Sequence, residues 1–271
     1  MKANPSTPLR ARKSLGQNFL MHARIAERIA LVANLTSDSV VLEIGPGTGM
    51  LTDELLKVAK KVIAVEADKE LLEKLQTDFA NEIALGQLEL VHGDIRTFDI
   101  SSLPRGYALV ANIPYYLTGE IFRMFLTADN QPSAMTLLVQ KEVAVRIVAR
   151  GKKPPDSARG KESILSLSVK AYGTPKLEFS VPRGAFRPAP KVDSAVLTIR
   201  DISRKNFATR AEEERFFALL HAGFAHKRKF VRKNLSAAGL SAGTIDEKAR
   251  AEDMSLSQWL TTVRSMDRIP Q

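Results

Sequence analysis

The sequence predicts an α/β fold: a doubly wound, mostly parallel sheet followed by a small C-terminal helical domain. Three observations carry this expectation. Between residues 40 and 140, short apolar runs bounded by turn residues alternate with amphipathic stretches, the pattern of strands joined by crossover helices. The first run passes through a glycine-rich turn directly into a helical stretch. From Ala211 onward the pattern becomes helical and basic, with Phe216, Phe217, Leu219 and Leu220 packed into two turns.

Each element has a local justification. Ile25, Ile29 and Val32 share one face of a helix expected over His22 to Ala33. Strands are expected at Val40 to Ile44, Val62 to Glu66, Leu88 to His92, Ala108 to Asn112 and Met135 to Gln140, each a short apolar run ending at turn residues. Helices fall between them at Met50 to Ala59, Lys69 to Ala80 and Gly119 to Leu126. The charges at Lys141 and Glu142 read as the solvated face of a further helix. Residues 151–160 mix Pro, Gly and charge without period, the composition of an exposed loop. Ile164 to Tyr172 and Val192 to Arg200 are apolar, β-branched runs expected to pair antiparallel at one sheet edge. Trp259 is expected in the core of the helical domain. The chain thus divides into 1–200, which begins with a basic segment over 1–21, and 201–271.

Composition narrows the function classes. Of 271 residues, 44% are hydrophobic and 26% charged, values of a globular protein with a sizeable core. No apolar run approaches the roughly 18 residues of a membrane helix, and the basic N-terminus lacks a signal peptide's apolar stretch, so a cytoplasmic location is expected. The absence of Cys excludes disulfides, thiolate metal sites and a cysteine nucleophile. His92, His221 and His226 have no spacing with acids that suggests a metal site, and none is expected. The formal charge of +10 and a pI near 9.8 draw polyanions. The positive charge is clustered, at Lys2, Arg10, Arg12 and Lys13 and again at Lys227, Arg228, Lys229, Arg232 and Lys233. Clustering marks nucleic acid as the partner to expect, with Arg12, Lys13 and the later five as RNA contacts. The phenylalanines just before and inside that later cluster, Phe224 and Phe230, read as core residues.

The first strand ends in Glu43-Ile44-Gly45-Pro46-Gly47-Thr48-Gly49, where glycines let the backbone turn sharply against a ligand. A dinucleotide fingerprint needs G-x-G-x-x-G; here the spacing is G-x-G-x-G, with Met50 at the third glycine's place, which counts against NAD. The second strand ends at Glu66, twenty-one residues after Gly45, where an acid accepts hydrogen bonds from ribose hydroxyls. The third ends in Gly93-Asp94-Ile95, where a carboxylate can accept from an adenine amine while Ile95 packs on the ring. Asp94 taken alone reads equally as a turn or cap residue. Consecutive strand ends bearing a glycine loop, an acid and an acid describe a nucleoside cofactor.

The fourth strand ends in Asn112-Ile113-Pro114-Tyr115. In isolation this is a turn after a strand. Behind the glycine loop and both acids, it resembles the motif of S-adenosylmethionine-dependent methyltransferases that act on a planar amino nitrogen. An adenine N6 lone pair is delocalised into the ring and attacks poorly unless its N–H groups are held by acceptors that let the nitrogen pyramidalise. The side-chain oxygen of Asn112 and the carbonyl of Pro114 suit that role, and Tyr115 offers a ring face for the base to stack on.

Four further segments extend the resemblance: Lys13 to Leu20 as a cofactor-covering motif, Ala185 to Ala195 as a target-base loop, Phe216 to Leu220 with Phe224, and Lys227-Arg228-Lys229 with Asn234-Leu235. Together with Asn112 to Tyr115 they are similar to the ribosomal RNA adenine N6-dimethyltransferases of the small subunit, the KsgA/RsmA type. The resemblance implies a Rossmann-like class I methyltransferase sheet with S-adenosyl-L-methionine as cofactor. It implies that Asn18 and Leu20 close over the cofactor, Gly45 and Gly47 pass beneath its methionine part, Glu66 binds ribose, and Asp94 with Ile95 holds adenine. It implies that Asn112 touches both cofactor and target amine, with Phe186 clamping a flipped base opposite Tyr115. The implied activity is dimethylation of two adjacent adenosines in the 3′-terminal hairpin loop of 16S rRNA during small-subunit biogenesis, by a monomer acting on the pre-30S particle. Two other readings compete: a large-subunit methyltransferase of the macrolide-resistance type, and a non-catalytic RNA-binding assembly factor.

Overall fold

The structure, a computed structural model, describes residues 12, 15–149, 161–243 and 245–266. Lys2, Arg10, Lys13 and the loop expected over 151–160 lie outside the described residues.

A short strand β1 (Phe19–Leu20) and helix α1 (Ala23–Val32) precede the main sheet. The chain then runs β2 (Val40–Ile44), α2 (Met50–Leu56), β3 (Lys61–Glu66), α3 (Lys69–Asp78), α4 (Ala80–Ala84), β4 (Leu88–His92), β5 (Ala108–Asn112), α5 (Thr118–Thr127), β6 (Ala134–Gln140) and α6 (Lys141–Val148). Next come α7 (Ile164–Tyr172), β7 (Thr174–Val181), β8 (Phe186–Arg187) and β9 (Ser194–Arg200), then α8 (Arg210–Gly223), α9 (Val231–Ala237) and α10 (Leu256–Met266).

Seven strands form one sheet in the order β4-β3-β2-β5-β6-β9-β7. β2 lies parallel to both β3 and β5, and β9 runs antiparallel between β6 and β7. The order therefore reverses at β2: the chain moves outward to β3 and β4, then crosses back to β5. Ligands of open parallel sheets sit at the carboxyl ends of the strands beside such a reversal. The central strands read as largely apolar runs because both faces are covered, with Glu43 the acid inside β2. Successive residues alternate between two cores, Leu42, Ile44, Ile63 and Val65 on one side, Val41, Val62 and Ala64 with Ile29 and Leu55 on the other.

The five expected parallel strands are present, within one residue at each end. The edge is different. Ile164 to Tyr172 reads as a strand, but it is helix α7, and the antiparallel partner of β9 is Thr174–Val181. An apolar run of nine residues fits a buried helix as well as a strand. The deciding feature is Ser163, whose hydroxyl accepts from the Ser166 N–H while the Ser166 side chain accepts from the Ser163 N–H, a reciprocal cap that starts a helix. Pro175 is compatible with β7 because that strand is at the sheet edge.

The C-terminal helices pack onto α7. Tyr172 meets Phe207 edge-on at 5.7 Å and stacks with Phe217 at 6.0 Å, and its hydroxyl donates to Glu213, which also receives Arg204 Nε at 3.0 Å. Trp259 is fully buried and stacks with Phe224 at 6.0 Å. Gly223 makes room for that indole: a Cβ there would fall 2.3 Å from a Trp259 ring atom. Gly223→Ala is therefore expected to cost about 1–3 kcal/mol through overpacking, seen as a lowered Tm; a Tm equal to wild type would contradict this packing.

Candidate active site

The carboxyl ends of β2, β3, β4 and β5 and the segment 15–20 enclose a cleft of about 1090 Å³, its mouth included. After β2 the chain turns through Gly45, Gly47 and Gly49, all at positive φ. Gly49 is sterically required as well, since a Cβ there would lie 2.5 Å from the Phe79 ring. The turn is tied down by two donations, Gly45 N–H to the Val65 carbonyl at 2.9 Å and Gly47 N–H to Glu66 Oε2 at 3.1 Å.

Glu66 ends β3, 5% exposed, and its other oxygen accepts from the Asp68 N–H at 2.9 Å. Burial pushes its pKa up, and the two backbone donors oppose that rise. Asp94 follows β4 and also caps a short turn, accepting from the Arg96 N–H at 2.9 Å. Both its oxygens face the Arg96 guanidinium at 3.0 Å, which holds its pKa below the usual carboxylate range. Ile95 is buried beside it.

Asn112 ends β5, and its amide nitrogen donates to the Asn18 carbonyl at 3.1 Å, so its Oδ1 is the group left to act as an acceptor in the cleft. The Pro114 carbonyl accepts the Leu117 N–H at 3.0 Å and keeps a second lone pair. The Tyr115 hydroxyl lies 2.6 Å from that of Ser194, a buried residue at the start of β9, which fixes the ring.

Segment 15–20 covers the cleft. Asn18 Nδ2 donates to the Gly16 carbonyl, and Leu20 is buried in β1. β1 pairs antiparallel with β8, Leu20 opposite Phe186. Phe186 is 5% exposed and packs among Leu20, Val181 and Val196 beside the cover. Arg12 departs from a free RNA contact. Its guanidinium meets Asp68 at 3.1 Å and Glu70 at 2.7 Å, fastening the cover to the start of α3. Of the later cations, Lys227, Arg228 and Lys229 are exposed in the turn between α8 and α9, and Lys233 is exposed on α9. Arg232 pairs with Glu247 at 3.3 Å.

Glu43 is the cleft residue that the motif reading passes over. Its signal is an acid inside the apolar run Val40-Val41-Leu42-Glu43-Ile44. It is 1% exposed, lines the cleft, and accepts from the Thr52 hydroxyl at 2.7 Å. Burial pushes its pKa up to about 8, against the Thr52 hydrogen bond and with help from the nearby Glu66 charge. Between its ordinary value of 4.5 and about 8, the folded protein holds a proton that the unfolded chain releases, so stability falls as pH rises through that window. Glu43→Gln is expected to remove this contribution, with its gain in Tm over wild type largest near pH 8. Parallel Tm profiles of the two proteins would contradict the assignment.

A family model described as ribosomal RNA adenine dimethylase matches residues 9–268. The chain belongs to the ribosomal RNA adenine dimethylase family. Ribosomal RNA small subunit methyltransferase A of Dehalococcoides mccartyi is 39% identical over 264 residues, covering 93% of this chain and 87% of that protein. Among solved structures, the 23S rRNA methyltransferase ErmE is similar with a TM-score of 0.73 and 27% identity, over 93% of this chain and all of that one. A dimethyladenosine transferase from Plasmodium falciparum shares the fold, with a TM-score of 0.76 and 24% identity over 92% of this chain and 97% of that one. The cleft of this dimethylase fits S-adenosylmethionine on chemistry: two carboxylates for a ribose diol and an adenine amine, an apolar Ile95 for the ring, and a glycine turn whose Gly45 has no atom within 4 Å of where a Cβ would stand.

Proposed function

We propose that this dimethylase transfers methyl groups from S-adenosylmethionine to the N6 amines of two adjacent adenosines in the 3′-terminal hairpin loop of 16S small-subunit rRNA, acting in small-subunit biogenesis. The observation that carries the reading is Asn112, whose amide nitrogen is committed to Asn18 while its oxygen remains an acceptor in a cleft suited to a nucleoside cofactor. Small-subunit specificity is supported by a relative of that name at 39% identity.

Glu66 holds the ribose hydroxyls, Asp94 and Ile95 hold the adenine, Gly45 and Gly47 underlie the methionine portion, and Asn18 and Leu20 cover it. When bound, the cofactor supplies an electrophilic methyl on a sulfonium that leaves as a neutral thioether. Asn112 Oδ1 and the Pro114 carbonyl accept the N–H bonds of the target amine and draw its nitrogen out of conjugation. Tyr115 stacks on the adenine, with its ring held by Ser194. No side chain need act as a strong base, because the methylated nitrogen is acidic and sheds its proton to solvent. Catalysis is orientation together with fixed acceptors.

Residues 1–200 carry catalysis and 201–271 carry RNA binding in this reading. Lys227, Arg228, Lys229, Arg232 and Lys233 contact phosphates, with Lys13 as a further RNA contact, and binding weakens steeply as salt rises. Phe186 helps to clamp the flipped base opposite Tyr115. In this reading the enzyme acts as a monomer on the pre-30S particle in the cytoplasm. The test is methyl transfer from labelled S-adenosylmethionine to purified, unmethylated ribosomal subunits. Label on small subunits is expected; label on large subunits, or binding with no label, would overturn the reading.

A further inference from the structure

Tyr116 follows the motif tyrosine and has no part in the mechanism above. Tyr115, Tyr116 and Leu117 form a single 3-10 turn after β5. Three residues per turn send successive side chains about 120° apart, so the three point three ways. Tyr115 is directed at β9, where its hydroxyl lies 2.6 Å from that of Ser194. Leu117 is buried in the core. Tyr116 is directed at the cleft mouth, where its ring lines the cleft and is 60% exposed. The cover braces it on one side. Gly16 passes so close that a Cβ there would fall 3.0 Å from Tyr116 Cε1 and 3.2 Å from Cδ1, and its φ of +62° suits glycine. The Tyr116 hydroxyl makes no hydrogen bond among the described residues. What the residue presents is a ring held on one side and otherwise open to solvent.

Flipping an adenosine into the pocket breaks its stack with the nucleotides on either side, and that loss opposes binding. Bases splayed from a single-stranded loop recover it on aromatic side chains, which accept any base because every base has a π face. Consecutive Cα atoms are about 3.8 Å apart, so a ring diverging from Tyr115 at the next residue stands within one nucleotide step of the base that Tyr115 holds. Resting on the function proposed above, we propose that Tyr116 is a second stacking platform, which receives the nucleobase next to the flipped adenosine. Tyr115 holds the reacting base and Tyr116 its neighbour, so the two rings grip a dinucleotide. Tyr116 stands on one side of the pocket and takes the neighbour on one side of the flipped base. That neighbour is the other adenosine in one of the two transfers and a flanking nucleotide in the other, and stacking indifferent to base identity serves both. Its part is in positioning the RNA, not in the transfer itself.

The test is methyl transfer to unmethylated small subunits at saturating S-adenosylmethionine by wild type, Tyr116→Ala and Tyr116→Phe, with cofactor Kd measured by calorimetry. Tyr116→Ala is expected to raise the KM for subunits about tenfold, the loss of one base stack. Its kcat is expected to stay nearly unchanged, because a stack held before and during transfer is uniform binding. Cofactor Kd is expected to be unchanged, and Tyr116→Phe to match wild type because it keeps the ring. Small subunits reconstituted with an abasic nucleotide immediately 5′ or immediately 3′ of the adenosine pair locate the partner. On one of the two sides the missing base is expected to raise the wild-type KM for the adenosine beside it by a similar factor, and to have no further effect on Tyr116→Ala. An unchanged KM in Tyr116→Ala, a Phe variant as impaired as Ala, a cofactor Kd weakened in step with KM, or additive effects on both sides of the pair would overturn the platform while leaving the proposed function intact. Wild-type enzyme that leaves small subunits unlabelled would remove both.

Discussion

Asn112→Ala is expected to lower kcat by about 10²- to 10³-fold at saturating cofactor, with RNA affinity nearly unchanged. The magnitude is that of removing one positioned hydrogen-bonding group from a transition state. The effect concentrates in kcat because the lost acceptor matters most as the amine pyramidalises, and because no RNA phosphate contact is assigned to this residue. Loss of the amide also frees the Asn18 carbonyl, so cofactor affinity weakens modestly and saturation is needed for the comparison. Asn112→Asp keeps an acceptor and should retain more activity than Ala. Single-turnover methyl transfer with RNA binding measured in parallel checks this, and unimpaired turnover in Asn112→Ala would end the amine-positioning role.

Glu66→Ala is expected to weaken S-adenosylmethionine binding by about 10²-fold, near 3 kcal/mol for two hydrogen bonds to a charged acceptor. The carboxylate does a second task, because it also accepts the Gly47 N–H and so links the glycine turn to the end of β3. Glu66→Gln, which retains one oxygen acceptor, should fall between wild type and Ala. RNA affinity is expected to be unaffected. Equilibrium dialysis or calorimetry decides, and an unchanged Kd would remove Glu66 from the site.

The fold and the cleft are legible in the sequence where local pattern and tertiary role agree. Buried parallel strands are largely apolar runs, and their carboxyl ends carry the ligand groups, so Gly45, Glu66, Asp94 and Asn112 stand out as polar or glycine residues at the ends of such runs. Legibility ends where a partner distant in sequence decides. Ile164 to Tyr172 has the composition of a strand, and the Ser163–Ser166 cap makes it a helix. Phe186 belongs to a motif, and only the fold shows its pairing with Leu20 beside the cover. Arg12 is one of a cluster of cations until the fold brings Asp68 and Glu70 beside it. Glu43 is visible as an acid within an apolar run, but its significance depends on burial and on Glu66, which only the assembled sheet provides.

The most direct test of the account is the identity of the modified atom. Small subunits lacking the modification are incubated with the enzyme and S-adenosylmethionine, and the rRNA is digested and mapped by mass. N6,N6-dimethyladenosine is expected at two adjacent positions near the 3′ end of the 16S rRNA, forming far more slowly with Asn112→Ala. Methylation at a ring nitrogen or ribose oxygen, or dimethyladenosine confined to large-subunit rRNA, would contradict it.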